Sequence, residues 1–301
     1  MRLSQIRDFL AVADCGGIRA AARKLGVSQP TITKSVRGLE RELHAQLLAR
    51  SARGIELTAA GRAFFARARV ADAELRKAEQ EAAQPAGATA PVAFGVGNLG
   101  AALIVAPAVT RFRRQFPRSP LRIVEGMAHL LMPALRDGSL DFVIGLRAAV
   151  ELHPALRFRP LYRSELAVAA RKGHPLRHAR RLAELAAADW LSTATLGMPG
   201  GPVERLFAAA RLPPPRPQIQ CESYNTTAAL LAGTDMVALM QRRTLQEPRA
   251  RSQLVEIPIA DPLPSITAGI FTRADAPLTR SAAAMAKAAS SVARGLARRP
   301  A

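Results

Sequence analysis

Cysteine is nearly missing from this chain: among 301 residues only Cys15 and Cys221 occur. Two thiols without metal-ligand spacing exclude a disulfide framework, and they predict a reducing compartment in which both simply pack. The five histidines, His44, His129, His153, His174 and His178, have no metal-binding spacing either, so no metal site is expected. A nucleophile elbow and a phosphate-binding glycine loop are also lacking. The stretch "GVGNLG" has only Gly95, Gly97 and Gly100 of a dinucleotide fingerprint, and the acidic residue needed about twenty positions on is absent, with Glu125 lying farther away. These gaps argue against an enzyme and against a bound cofactor. Arg7 and Asp8 stand where a signal peptide would be apolar, and no run approaches a membrane span. A cytoplasmic protein without a membrane partner is expected.

Acidic residues are scarce as well. Against 43 Lys and Arg stand 23 Asp and Glu, a net charge of +20, which favours a polyanionic partner. The surplus is spread out: residues 1–58 carry +5, residues 59–84 carry +1, and residues 85–301 carry +14. Because 38 of the 43 cations are Arg in an Ala-rich chain, genomic base composition is an alternative explanation. Pattern is therefore a better guide than charge.

The pattern is clearest in "SQPTITKSVRGLEREL", residues 28–43. Ser28 is suited to cap a helix and Pro30 is tolerated in its first turn. Ile32, Val36, Leu39 and Leu43 recur at spacings of four, three and four, one stripe of a 3.6-residue helix. Gln29, Thr31, Thr33, Lys34 and Arg37 are left for the other surfaces, with amide, hydroxyl and cationic groups suited to base edges and phosphates. Taken alone, this reads more readily as an ordinary solvated face. Upstream, "IRAAARKLGVSQP" supplies a helix ending at Leu25 and a Gly26 suited to a left-handed cap, the spacing of a helix-turn-helix. Leu3, Ile6, Phe9, Leu10 and Ala13 form a third apolar stripe to support the pair. Downstream, "LLARSARGIELT" predicts a two-stranded wing around Arg50, Ser51, Arg53 and Gly54.

After a Thr58 cap, residues 59–82 read as one helix in which Phe64, Ala68, Ala71, Leu75, Ala78 and Ala82 form a heptad seam. Such a seam suits a dimer, or else one helix lying on its own globule. "AAQPAGATAP" then reads as a hinge. Beyond it, strands and helices alternate: "PVAFGVG", a helix from "NLGAALIVAPAVTRFRRQF", "LRIVEG", a helix from "MAHLLMPALRDGSL", and "DFVIGL" predict a parallel βαβαβ unit. A second unit holds "SELAVAAR", a loop around Trp190, a helix near "VERLFAAAR", "PQIQCES", the helix "NTTAALLAG" and the strand "MVALM". The strand "ITAGIF" and a helix over 279–294 return to the first. Overall this is an α/β chain: 1–58 winged helix-turn-helix, 59–82 linker helix, 83–91 hinge, 92–161 with 266–301 one subdomain, and 162–265 the other. A ligand cleft is expected outside the carboxyl ends of the strands.

The stretch "LAVADCGGIRAAARKLGVSQPTITKSVRGLERELHAQLLARSARGIELTAAG" resembles the winged helix-turn-helix of LysR-type transcriptional regulators. "LRDGSLDFVIG" and "ELAVAARKGHPL" are similar to landmarks of their periplasmic-binding-protein-like effector domain. The resemblance covers the chain, and "RDGSLDF", "HPLRHARRLAEL" and "CES" are most similar to the branch of the toluenesulfonate-degradation regulator. It implies a homotetramer, a dimer of dimers that binds double-stranded promoter DNA, alters its bending when a small co-inducer fills the cleft, and works with RNA polymerase. Carried over, Gln29, Pro30, Thr31, Thr33 and Lys34 line the groove, with Arg37, Arg50 and Arg53 on phosphates. For the effector the candidates are Asn98, Leu99 and Gly100, Met127 and His129, Ser192 and Thr193, and Ser223, Tyr224 and Asn225. Each is equally placed to be a loop or cap residue, Asn225 above all. Gly97 and Asn98 stand where many relatives carry a hydroxyl, and "LLAR" replaces a commoner Leu-Phe pair in the wing. Helix N-termini in a basic domain favour an anion such as a carboxylate or sulfonate.

Overall fold

The computed structural model describes residues 1–51, 54–82, 90–97, 101–147, 152–193, 201–217 and 219–297. The chain separates into two compact units, one built on Met1–Ala90 and one on Pro91–Leu135 with Leu140–Ala301.

In the first unit, helices α1 (Leu3–Cys15), α2 (Ile18–Leu25) and α3 (Gln29–Glu42) precede strands β1 (Leu48–Ser51) and β2 (Gly54–Leu57) and the long helix α4 (Ala59–Ala82). Gly16 and Gly26 end α1 and α2 in the left-handed region, at φ 67° and 66°, where a side chain is strained. Ser28 caps α3, its hydroxyl accepting from Thr31 N–H at 3.3 Å. The apolar stripe packs as its spacing requires: Ile32, Val36 and Leu39 are buried against Phe9, Leu10, Val12, Ala21 and Ala22. Glu40 then fastens the end of α3 to the wing, its carboxylate accepting from Leu47 N–H at 2.8 Å and Leu48 N–H at 3.1 Å. β1 and β2 pair antiparallel, Leu48 with Leu57 and Arg50 with Ile55.

Thr58 does cap α4, accepting from Gly61 N–H at 2.9 Å and donating to Gln46 C=O at 2.6 Å. A Cβ on Gly61 would stand 2.0 Å from Leu47 O, so only glycine lets the helix pass this close to the wing. The heptad seam of α4 divides. Phe64 and Ala68 serve the unit's own core, Phe64 standing edge-on to Phe9 at 5.5 Å, whereas Ala71, Leu75, Ala78 and Ala82 remain exposed. Buried Asp72 on the other flank pairs with Arg7 of α1 at 2.7 Å and with Arg76 at 3.0 Å, which holds the Arg7 guanidinium above its ordinary pKa.

The second unit begins with β3 (Val92–Val96), a π-helical turn (Ala101–Val105), α5 (Ala106–Gln115), β4 (Leu121–Glu125), α6 (Ala128–Arg136) and β5 (Phe142–Leu146). β3 pairs parallel with both β4 and β5, as alternating strands and helices predict. The chain continues through β6 (Leu156–Arg171), β7 (Asp189–Ser192), α7 (Pro202–Ala209), β8 (Ile219–Gln220), α8 (Tyr224–Gly233) and β9 (Met236–Gln241). The short helices α9 (Arg242–Leu245) and α10 (Pro248–Gln253), β10 (Leu254–Ile257), β11 (Ser265–Arg273) and α11 (Arg280–Ala297) complete it. Among the described residues the strands run in the order β4-β3-β5-β11-β6-β9-β7-β8, with β10 also on β6. The long antiparallel pair β6 and β11 thus carries the sheet from one half to the other, Ile270 opposite Arg159 and Ser265 opposite Glu165.

Three features depart from the sequence reading. Trp190 lies on strand β7, not in a loop, with its indole N–H donating to Leu185 C=O at 2.9 Å inside the core. β6 starts at Leu156, eight residues before "SELAVAAR", because its first half alternates Arg with apolar residues and pairs with β11. β10 and the two short helices before it follow no clear period and were not foreseen.

Candidate functional site

Two concave surfaces collect the candidate residues, one in each unit. In the first, an open groove of about 1110 Å³ runs along α3, lined by Gln29, Pro30, Thr33, Lys34, Arg37, Glu40, Arg41, His44, Ala45 and Gln46. Its position follows from the burial of Ile32, Val36 and Leu39, which turns the amide, hydroxyl and cationic side chains outward. Lys34 and Arg37 are exposed, and the Thr33 hydroxyl donates back to Gln29 C=O at 3.0 Å, which leaves its oxygen free to accept. Gln29 is steadied by Arg19 Nε at 3.4 Å. Thr31 is exposed at the helix start with its hydroxyl 2.7 Å from that of Ser28, and it is not among the groove-lining residues. Arg41 and His44 extend the surface by one turn. Their spacing from Arg37, four then three residues, was the available signal for them. Arg50 enters through its backbone pairing in β1; its side chain, and Arg53 altogether, lie outside the described residues.

In the second unit a more enclosed cavity of about 320 Å³ opens at the carboxyl ends of β3, β4, β5 and β7. Gly97 N–H donates to Ile144 C=O at 2.8 Å and Gly126 N–H to Val96 C=O at 3.1 Å, which holds these strand ends side by side around it. Its walls are mostly apolar, with Leu131, Met132, Val143, Ile144, Leu146, Leu239 and Met240 prominent, and none of the described lining residues is charged. Polarity comes from Thr193, Tyr224 and Thr227 and from the first turns of α6, α7 and α8, which border the cavity at Ala128, Pro202 and Tyr224. Thr227 is buried at 2 % exposure, and its hydroxyl oxygen has no hydrogen-bond partner among the described residues. A buried hydroxyl left unmatched costs about 1–3 kcal/mol unless a guest satisfies it. Burial pushes the Tyr224 phenol above its ordinary pKa, and a hydrogen bond with Thr244 works against that. It stays a neutral hydroxyl at any physiological pH.

Of the effector candidates, Met127, Thr193 and Tyr224 stand on the cavity wall. Asn98, Leu99 and Gly100 lie outside the described residues. His129 is exposed on α6, and Ser192 is buried in β7, its carbonyl taken by Cys221 N–H at 2.9 Å; neither is among the lining residues. Ser223 caps α8, accepting from Thr226 N–H at 3.3 Å, so the capping role suggested for Asn225 belongs to Ser223 and Asn225 sits exposed one position into the first turn. Thr227 was missed, though it lies three residues after Tyr224 and so on the same helix face.

Residues 3–62 match the bacterial regulatory helix-turn-helix protein, lysR family, and residues 85–294 match the LysR substrate binding domain. The chain belongs to the LysR family. Among curated relatives, this LysR-family chain is 30% identical over 275 residues to the HTH-type transcriptional regulator GalR of Pseudomonas putida, covering 89% of this chain and 68% of that one. It is also 30% identical over 282 residues to the HTH-type transcriptional regulator PcaQ of Agrobacterium fabrum, covering 91% and 89%. Two solved structures share its fold. A full-length OxyR from Pseudomonas aeruginosa gives a TM-score of 0.72 at 24% identity over 98% of this chain and 97% of that one. Full-length CbnR, solved in complex with its target DNA, gives 0.65 at 22% over 97% and 100%. The protein is a LysR-type DNA-binding transcriptional regulator with a substrate-binding domain. The groove on α3 belongs to its helix-turn-helix and the 320 Å³ cavity to its substrate-binding domain.

Proposed function

We propose that this regulator lays α3 in the major groove of promoter DNA and changes its hold on that DNA when a small organic anion fills the cavity of its second unit. The observation that carries the first part is the single groove joining Gln29, Pro30, Thr33, Lys34 and Arg37 on the face opposite the buried stripe. In this reading Gln29, Pro30, Thr31, Thr33 and Lys34 meet base edges, while Arg37 and the wing residues Arg50 and Arg53 neutralise phosphates. CbnR was crystallised on its target DNA with a chain of the same fold, which supports that placement.

For the inducer, three helix N-termini beside an unmatched Thr227 hydroxyl favour a carboxylate or sulfonate, and the Leu, Met and Val walls favour an apolar body behind it. With no charged side chain among the described lining residues, backbone N–H groups and hydroxyls hold the anion. Residues 1–58 form the DNA-binding domain, 59–82 the linker and 83–91 the hinge, with 92–161 plus 266–301 and 162–265 closing on the ligand. The exposed seam of Ala71, Leu75, Ala78 and Ala82 supports pairing of two copies through α4, and two such pairs make a tetramer that bends promoter DNA where RNA polymerase acts. Calorimetric titration with matched sets of aromatic and aliphatic carboxylates, sulfonates and their neutral amides tests the inducer class. Heat from the anions and none from the amides is expected, and tight binding confined to neutral compounds contradicts it.

A further inference from the structure

The second unit carries a cationic stripe that neither the groove nor the cavity uses. On α11, Arg280, Ala284, Lys287, Ser291 and Arg294 follow one another at spacings of four, three, four and three, which lines them along one face of the helix. The opposite face is spent on the core, where Ala282, Met285, Ala286, Ala289 and Ala293 are buried. Arg280, Lys287 and Arg294 are exposed. Arg111 of α5 donates to the Ser291 hydroxyl at 2.5 Å, so the two helices meet at this stripe and bring exposed Arg111 and Arg114 to its side.

Among the described residues the stripe has no acidic counterpart. Neither α5 nor α11 contains an Asp or Glu, and no acidic residue occurs from Ala276 to the end of the sequence. Among the described residues no carboxylate pairs with Arg114, Arg280, Lys287 or Arg294. Elsewhere in the same unit half-buried cations are matched, Arg171 with Asp235 at 2.7 Å and Arg242 with Glu256 at 2.9 Å. Base composition can supply arginine, but it does not explain why carboxylates answer the arginines in one place and are excluded from two adjoining helices.

We infer that this face of α5 and α11 is a second, sequence-independent contact for the phosphate backbone of DNA. The inference rests on the reading of the chain as a DNA binder and extends it to a unit whose family role is to hold a small molecule. From Arg280 to Arg294 the stripe runs about 21 Å at 1.5 Å per residue, the length over which duplex DNA presents roughly a dozen phosphate charges. The residues between the cations on the stripe, Ala284 and Ser291, are short and let a sugar-phosphate strand come close. They also leave no bulky apolar side chain to insert into a lipid surface.

The test uses the full chain on a fluorescent duplex of random sequence, with affinity read by anisotropy across a salt series. Three proteins are compared: the wild type, Lys287→Gln with Arg294→Gln on the stripe, and Arg249→Gln with Arg251→Gln on α10, which removes the same net charge from exposed positions outside it. Each phosphate contact contributes about 0.9 to the slope of log affinity against log salt, so the stripe pair lowers that slope by about 1.8 while the α10 pair leaves it unchanged. If both pairs keep the wild-type slope, or both lose the same amount, the stripe does not touch DNA, and the helix-turn-helix reading stands. If the wild type itself shows no salt-dependent binding, that reading falls and the stripe with it.

Discussion

The groove on α3 and the cavity among β3, β4, β5 and β7 solve opposite problems. The groove is wide, open and lined with Lys34, Arg37, Arg41 and Gln29, polar and cationic side chains of the kind that suit a polyanion. The cavity is small, lined largely by Leu, Met and Val, and keeps the Thr227 hydroxyl without a partner among the described residues. A surface that reads a long charged polymer needs many weak, solvated contacts. A pocket that reads one small molecule needs few, each costly when unmet. The two surfaces therefore answer to different substitutions.

The largest separation comes from Gly61. A Cβ there would stand 2.0 Å from Leu47 O, so Gly61→Ala forces α4 away from the wing and destabilises the first unit by about 3 kcal/mol. A calorimetric scan is expected to show an early transition accompanied by loss of DNA binding, with ligand binding in the second unit retained. Loss of both together would mean that the units fold as one. Thr227→Val is the converse. It keeps the shape, removes the unmatched hydroxyl and raises the melting temperature of the free protein, while an anionic inducer loses about tenfold in affinity, or about 1.4 kcal/mol. Unchanged affinity would remove Thr227 from ligand recognition.

Smaller effects divide the groove itself. Thr33→Ala is expected to cut discrimination between operator and random DNA about fivefold, or about 1 kcal/mol, whereas Arg37→Ala weakens both alike and lowers the salt slope by about 0.9. Equal and unselective losses in the two would contradict base reading by α3. The smallest effect concerns a residue that lines neither surface. Glu184 accepts backbone N–H groups from Arg180 and Arg181, at 3.0 and 2.8 Å, which holds its carboxyl below the ordinary 4.5. A depressed carboxylate stabilises the fold above its unfolded pKa, and that contribution fades as the pH falls through the folded one. Glu184→Gln should therefore narrow the gap in stability between pH 7 and pH 3, as measured by urea unfolding at each pH.

The same contrast explains what could be read from the sequence. α3 was legible because its fold follows one period: once Ile32, Val36 and Leu39 are buried, Gln29, Thr33, Lys34 and Arg37 are left to line the groove, though Thr31 does not join them. Ser28, Gly26 and Thr58 marked the helix ends for local reasons that tertiary structure did not override. The cavity was legible only as a place. Strand ends predicted where it lies, and Met127, Thr193 and Tyr224 were found there, but Leu239, Met240 and Ala268 arrive from strands distant in sequence whose pairing no local pattern announces. Trp190 was misplaced for a related reason: β7 has four residues, too few for a period to emerge. The first half of β6 hid behind its arginines, which alternate on an exposed side of the sheet.

The most direct test of the account is a footprint of the purified protein on the DNA immediately upstream of its own gene, in the presence of excess random competitor. Protection of paired half-sites on one face of the duplex is the predicted result if, as proposed, two copies of α3 each read one major groove. Diffuse protection that the competitor abolishes would contradict it and make the protein a binder of DNA without sequence preference.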